Sequence, residues 1–140
     1  MSCVSVSALL VARLDAPGGR VPLLARVSYD DEDPYVVQAA FLDGPTVLAR
    51  WNFDRQMLAE GLHRPVGEGD VAFSPHRAAG GDELRVALRR PGAEGQGSAD
   101  AVLFVEARAL TGFLEQTYAV TGAGEEFLDL DKLLDELLAR

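Results

Sequence analysis

The feature that most constrains this chain is the alternation that fills its first 53 residues. Val4, Val6, Ala8 and Leu10 alternate with smaller or polar residues until "APGG" at 16–19 breaks the run. "RVPLLARVSY" (20–29) repeats the pattern, with Pro22 near its start, where a proline costs no ladder bond. The acidic turn "DDEDP" (30–34) leads into "YVVQAAFL" (35–42), and "DGP" (43–45) separates that run from "TVLARWNF" (46–53). A period of two with turn residues between runs predicts four strands joined by short connections.

The period then changes. "DRQMLAEGLH" (54–63) offers Asp54 as an N-cap, Met57 and Leu58 as apolar anchors and Gly61 as a C-terminal stop, which predicts a helix of about two turns. "GEGDVAFSP" (67–75) returns to a strand after a glycine-rich bend. "DELRVALRR" (82–90) sets Leu84, Val86 and Leu88 against Glu83, Arg85 and Arg89, so one face is expected to be buried and the other wet. "PGAEGQGSAD" (91–100) has little to bury and reads as a mobile loop, and "AVLFVEA" (101–107) as a seventh strand.

Two helical patterns close the chain. Ala107, Leu110, Leu114 and Tyr118 form one stripe, and Phe127, Leu130, Leu134 and Leu137, widened by Leu133 and Leu138, form another. The second stripe is broad for a single buried face. It either covers the domain's own core or also meets a partner, so Leu130, Leu133, Leu134, Leu137 and Leu138 are, with the sheet edges, the candidate oligomer or partner interface. The sum is an α+β fold built on antiparallel sheet, with about seven strands, one short helix between them and two C-terminal helices, in a single domain spanning 1–140. No internal repeat is visible.

Charge bounds the function. The net charge is −9, and the 13 basic residues are scattered, with Arg89–Arg90 the longest run. Nucleic-acid binding draws its affinity from a basic face, so that class is disfavoured and protein partners are favoured. No apolar run reaches the roughly 20 residues of a membrane span, and no basic residue precedes the N-terminal apolar stretch, so neither membrane insertion nor a cleaved signal peptide is expected. A lone cysteine, Cys3, leaves no internal disulfide and fits a reducing cytoplasm.

The chain offers little chemistry. His63 and His76 have no spacing that makes them metal ligands together or with Cys3; each reads as a loop histidine, His76 in an exposed turn. The glycine-containing stretches "GEGDV", "GAEGQG" and "GAGEE" lack the order and helix of a phosphate cradle. Asp30, Asp31, Glu32 and Asp33 lack the glycine and terminal glutamate of a calcium loop. No serine lies in a nucleophile elbow. No catalytic, metal or cofactor-binding residue is predicted.

Three ordered stretches carry a resemblance: "YDDEDPYVV" (29–37), "WNFDRQMLAEG" (51–61) and "RPVGEGDVAFSP" (64–75). Together they resemble the SsgA-like family of sporulation and cell-division regulators from actinomycetes. The matching positions are Asp33, Pro34 and Tyr35; Trp51, Phe53, Arg55, Leu58 and Gly61; and Pro65, Gly67, Gly69, Asp70 and Val71. Met57 stands where leucine is usual, a swap of similar volume. The resemblance implies a β-rich whirly-like fold, a homotrimer and no catalysis. It implies a cytoplasmic adaptor recruited to the division septum, regulating sporulation-specific cell division. The partners it implies are division or cell-wall proteins, among them another SsgA-like protein or the tubulin-like FtsZ. The whirly-like fold also raises an alternative function, single-stranded nucleic-acid binding, which the charge opposes.

In "DPY" itself, Pro34 fixes its own φ and keeps Asp33 out of the helical region, so the turn is stiff. Neighbouring aspartates hold the bend, and the Tyr35 ring is expected to pack inward with its hydroxyl toward water. Trp51 reads as a core or subunit-interface anchor.

Overall fold

A computed structural model of the chain describes residues 4–89, 100–122 and residue 138. Eight strands form one antiparallel sheet: β1 (Ser5–Ala16), β2 (Gly19–Asp30), β3 (Val36–Asp43), β4 (Thr46–Asp54), β5 (Val66–Glu68), β6 (Val71–Ala78), β7 (Gly81–Leu88) and β8 (Ala101–Glu106). Among the described residues two full helices accompany them, α1 (Arg55–Gly61) and α2 (Ala107–Val120).

The sheet order is β4-β3-β2-β1-β8-β7-β6-β5. Chain neighbours pair throughout, except where Ala12–Leu14 of β1 meet Leu103–Val105 of β8 and join the two halves. At Pro22 the β3 side of the ladder has not begun, since β2–β3 pairing starts at Leu24. The missing N–H there therefore has no β3 partner to lose.

The sheet is strongly bent. Phe53 on β4 and Phe73 on β6 meet edge to face with centroids 5.2 Å apart. In a flat sheet the intervening strands would hold them about 29 Å apart. The two ends have therefore curled toward each other into a half-barrel. Its trough holds α1 and α2, whose Leu58, Leu110, Phe113 and Leu114 pack with Val27, Val37, Leu84 and Val105 from the strands.

The first helix begins where the sequence places it. The Asp54 backbone is extended, and its carboxylate accepts the Met57 N–H at 2.8 Å. An Asp54→Ala substitution removes this cap and is expected to cost about 1 kcal/mol, read as a lower denaturation midpoint at unchanged slope.

Four expectations need correction. There are eight strands rather than seven, because "GEGDVAFSP" is a hairpin: Gly69, at φ +61°, opens a two-residue turn between β5 and β6. Gly61 ends α1 without a left-handed backbone, and its missing Cβ serves close packing instead. Glu83, expected on the wet face of β7, is buried. His76 lies within β6, not in a turn. The 91–99 loop lies outside the described residues; Asp100 at its end donates its N–H to the Leu88 carbonyl at 2.9 Å. The second C-terminal stripe also lies outside them, apart from Leu138, which is helical and 82% exposed.

Candidate functional site

The structure draws the first two signature stretches into one cluster at the β4–α1 junction. The acidic turn is held by its own carboxylates: Asp30 Oδ1 accepts the Glu32 N–H at 3.0 Å, and Asp31 Oδ1 accepts the Val4 N–H at 3.2 Å. Backbone bonds from Asp33 N–H to the Asp30 carbonyl and from Val36 N–H to the Asp33 carbonyl complete the bend. Side chains engaged in this way hold backbone, which explains why acids crowd here better than a cation does.

The ring that anchors the turn is Tyr29, not Tyr35. Tyr29 is 1% exposed and donates its hydroxyl to the Pro34 carbonyl at 3.1 Å, whereas Tyr35 is 46% exposed. The expected inward packing of Tyr35 is thus filled by a residue six positions earlier, at an inward position of β2. The Tyr35 carbonyl in turn accepts the Arg55 N–H at 2.7 Å, tying the turn to the start of α1.

Arg55 is the centre of this cluster. Its side chain lies in the core, 1% exposed, with the guanidinium 4.1 Å from the Tyr118 ring centroid and 4.9 Å from that of Tyr29. Its Nη1 donates to the Thr117 carbonyl at 3.1 Å and the Thr121 carbonyl at 2.7 Å. Both carbonyls lie at the C-terminal end of α2, the negative end of its dipole; Thr117 also accepts the N–H of the C-cap residue Thr121 at 3.0 Å. The last turn of α2 has no basic residue of its own. Arg55 supplies that cation from 62 residues away.

Around it, Trp51 stacks on Phe53 at 6.4 Å, and Phe53 meets Phe73. Leu58 is buried, and Gly61 lies against Phe73. The third stretch is placed apart from the turn. Pro65 precedes β5, and Gly67, Gly69, Asp70 and Val71 form the β5–β6 hairpin, where the Asp70 carbonyl accepts the Arg89 N–H at 2.8 Å. Gly67 is also sterically set: a Cβ there would sit 3.2 Å from the Val71 carbonyl oxygen.

Sequence reasoning missed an ionic cluster on the outer face. Arg20 Nη1 donates to both Glu83 oxygens, at 3.0 and 2.9 Å, and His76 Nδ1 lies 3.2 Å from Oε1. The Arg20 guanidinium also sits 3.8 Å above the Phe104 ring. This bridge links β2 to β7 across β1 and β8. With its oxygens so engaged, Glu83 braces the sheet. A basic residue at the β2 hairpin facing an acid at the start of β7 was visible, but nothing local linked them.

Among the described residues no group of three or more histidines, cysteines or carboxylates is placed to hold a metal, and no helix is long and apolar enough to cross a membrane. Tyr35 is the one large aromatic among their exposed hydrophobics.

The described geometry is that of a β-rich half-barrel in which the backbones of Tyr35 and Arg55 are tied at the β4–α1 junction. Solved structures share it. One, reported with mutations in SsgB that correlate to longitudinal cell division during sporulation of Streptomyces coelicolor, superposes with a TM-score of 0.79 at 38% identity, covering 89% of this chain and 94% of that one. The SsgA-like sporulation-specific cell division protein of Thermobifida fusca gives 0.80 at 33% identity over 97% of both chains. In sequence, the sporulation-specific cell division protein SsgB of Streptomyces coelicolor is 43% identical over 121 residues, 85% of this chain and 84% of that protein. The SsgB of Frankia casuarinae is 35% identical over 137 residues, 96% and 92% respectively. Residues 23–126 match the family described as Streptomyces sporulation and cell division protein, SsgA. The chain belongs to that family.

Proposed function

We propose that this protein is a non-enzymatic adaptor in sporulation-specific cell division, which helps place the septum by binding division or cell-wall proteins. Family membership makes cell division the process. The observation that carries the adaptor reading is an apolar surface on the outer face of the half-barrel. Leu9, Val11 and Leu24 are 59%, 44% and 42% exposed, and Val11 and Leu24 are direct cross-strand partners. Adjacent exposed side chains of this size are what a protein contact uses.

In this reading the protein is cytoplasmic, reaches the septum through what it binds, and assembles as a homo-oligomer with a trimer favoured. Another SsgA-like protein or FtsZ is a candidate partner. Tagged protein expressed in sporulating cells is expected to retain division or cell-wall proteins, and a Val11→Asp, Leu24→Asp variant with normal circular dichroism to retain them poorly. Unchanged septum placement and spore formation after deletion of the gene would refute the adaptor reading. Light scattering is expected to report a multiple of the 15.0 kDa chain, three copies in the favoured case. A clean monomer at micromolar concentration would remove the oligomer.

A further inference from the structure

The two edges of the sheet are unlike. β5 is three residues long and carries Gly67 and the charged Glu68. β4 has nine residues, Thr46–Asp54, mostly exposed, with no proline or lysine and one register shift, opposite Phe41/Leu42. Every second N–H and C=O of such a strand points away from the sheet. Natural proteins blunt or cover edges of this kind, because they template the addition of another strand.

The two faces of β4 are chemically opposite. On the outer face, Arg50 lies directly across from Ala40, and Ala40 directly across from Arg26. The two guanidinium-bearing residues thus flank one alanine, with backbones about 10 Å apart. Over that alanine is a depression of about 290 Å³, lined also by Gln38 and Asn52. Neither arginine is in an ion pair with a described residue, although the chain carries a net charge of −9. On the inner face, Leu48, Ala49 and Trp51 border an almost wholly apolar groove of about 310 Å³ that runs under Phe41.

An added strand sends successive side chains to opposite faces and sets each beside its cross-strand neighbour, about 5 Å away. Beyond β4, its outer residues would stand by Arg50 and Asn52, and its inner residues by Ala49, Trp51 and the mouth of the groove. Acidic residues fit the first row and apolar residues the second.

We propose that the β4 edge is a docking site for an extended segment of a partner protein in which acidic and apolar residues alternate. Main-chain bonds along the edge supply affinity, and the two faces read the alternation. This names the partner chemistry for the adaptor reading and rests on it, but its test does not.

The probe is a labelled synthetic peptide of about eight residues alternating aspartate and valine, followed by fluorescence anisotropy against the full chain. Two controls keep its length: one groups the aspartates and valines into separate blocks, the other replaces every aspartate with lysine. The alternating peptide is expected to bind about tenfold or more tightly than either control, and more weakly as salt rises. Arg50→Glu, at an exposed position, should weaken it by a similar factor at an unchanged unfolding midpoint, and Arg26→Glu in the same direction by less. Bound peptide should slow amide exchange across 46–54.

Equal binding of the alternating and block peptides, or binding indifferent to Arg50→Glu, overturns the proposal. So does a peptide that fails to bind while Arg50→Glu and Leu48→Lys dissolve an oligomer, because the edge is then a contact between copies. If peptide binding fails while division proteins are still retained from sporulating cells, the adaptor reading survives and this site does not. If peptide binding succeeds while none is retained, the site stands and the adaptor reading falls.

Discussion

Arg55→Met is expected to lower the free energy of unfolding by about 2–4 kcal/mol, a large share of what holds a domain of this size together. The substitution keeps a long apolar stem and removes only the charged fork. The Thr117 and Thr121 carbonyls at the end of α2 then lose their Nη1 donor in a site that water does not reach freely, while Thr117 keeps a backbone donor, the Thr121 N–H. A charge-assisted hydrogen bond of this kind contributes about 1.5–3 kcal/mol, and a buried acceptor left bare costs its desolvation besides. The Tyr29 and Tyr118 rings also lose the cation over them.

Arg55→Lys separates charge from geometry. An ammonium on a flexible stem retains the favourable sign at the helix end but not the planar guanidinium packed against both rings. It is expected to recover less than half of the loss. Urea denaturation, with both midpoint and slope fitted, measures all three proteins. A methionine variant as stable as the parent would mean that the α2 end is satisfied without Arg55. The signature arginine would then need an explanation outside the fold, in spite of its burial.

The way Arg55 works shows what the sequence could and could not disclose. Its neighbourhood was legible: Asp54 caps α1 as its position suggests, and α2 carries the predicted stripe of Ala107, Leu110, Leu114 and Tyr118 because local spacing alone defines an amphipathic helix. Strands β2, β3 and β4 were legible for the same reason, each being a period of two between turn residues. What joins these elements is long in sequence and short in space. Periodicity reports that a side chain points inward but not what it meets there.

Nothing near Arg55 announces the end of a helix 62 residues later. Glu83 makes the same point from the other face. Alternation assigned it to solvent, and it does lie on the outer face, yet Arg20, 63 residues away, folds over Phe104 and covers it. The two tyrosines differ for a similar reason. Tyr29 and Tyr35 are equally amphipathic, but only Tyr29 sits at an inward position of a central strand; Tyr35 stands in the turn before β3 begins. The β4 edge was invisible for a topological reason. Which strands end up outermost depends on the β1–β8 pairing, which no local pattern encodes.

Gly61→Ala is the second substitution with a large expected effect, and it runs against helix propensity. At an ordinary helical site alanine stabilises by about 1 kcal/mol relative to glycine. Here the added Cβ would lie 2.4 Å from the Cβ of Phe73 and 3.2 Å from its Cγ, closer than two carbons can approach. Phe73 cannot turn away, because a Cβ is placed by backbone and its ring is held by Phe53. The helix must back off from β6, opening the core that Leu58 and Leu84 share. Such overpacking costs about 1–3 kcal/mol, and the net change is expected to be destabilising despite the gain in propensity. A companion variant identifies the cause. Phe73→Leu shrinks the ring but retains the offending Cβ, so the double variant should show the two losses without relief. If Phe73→Leu rescued Gly61→Ala, the ring and not the backbone approach would be the obstacle. If Gly61→Ala alone raised the unfolding midpoint, α1 and β6 would be further apart than 2.4 Å allows, and the glycine would have to be explained by what reaches α1 from outside.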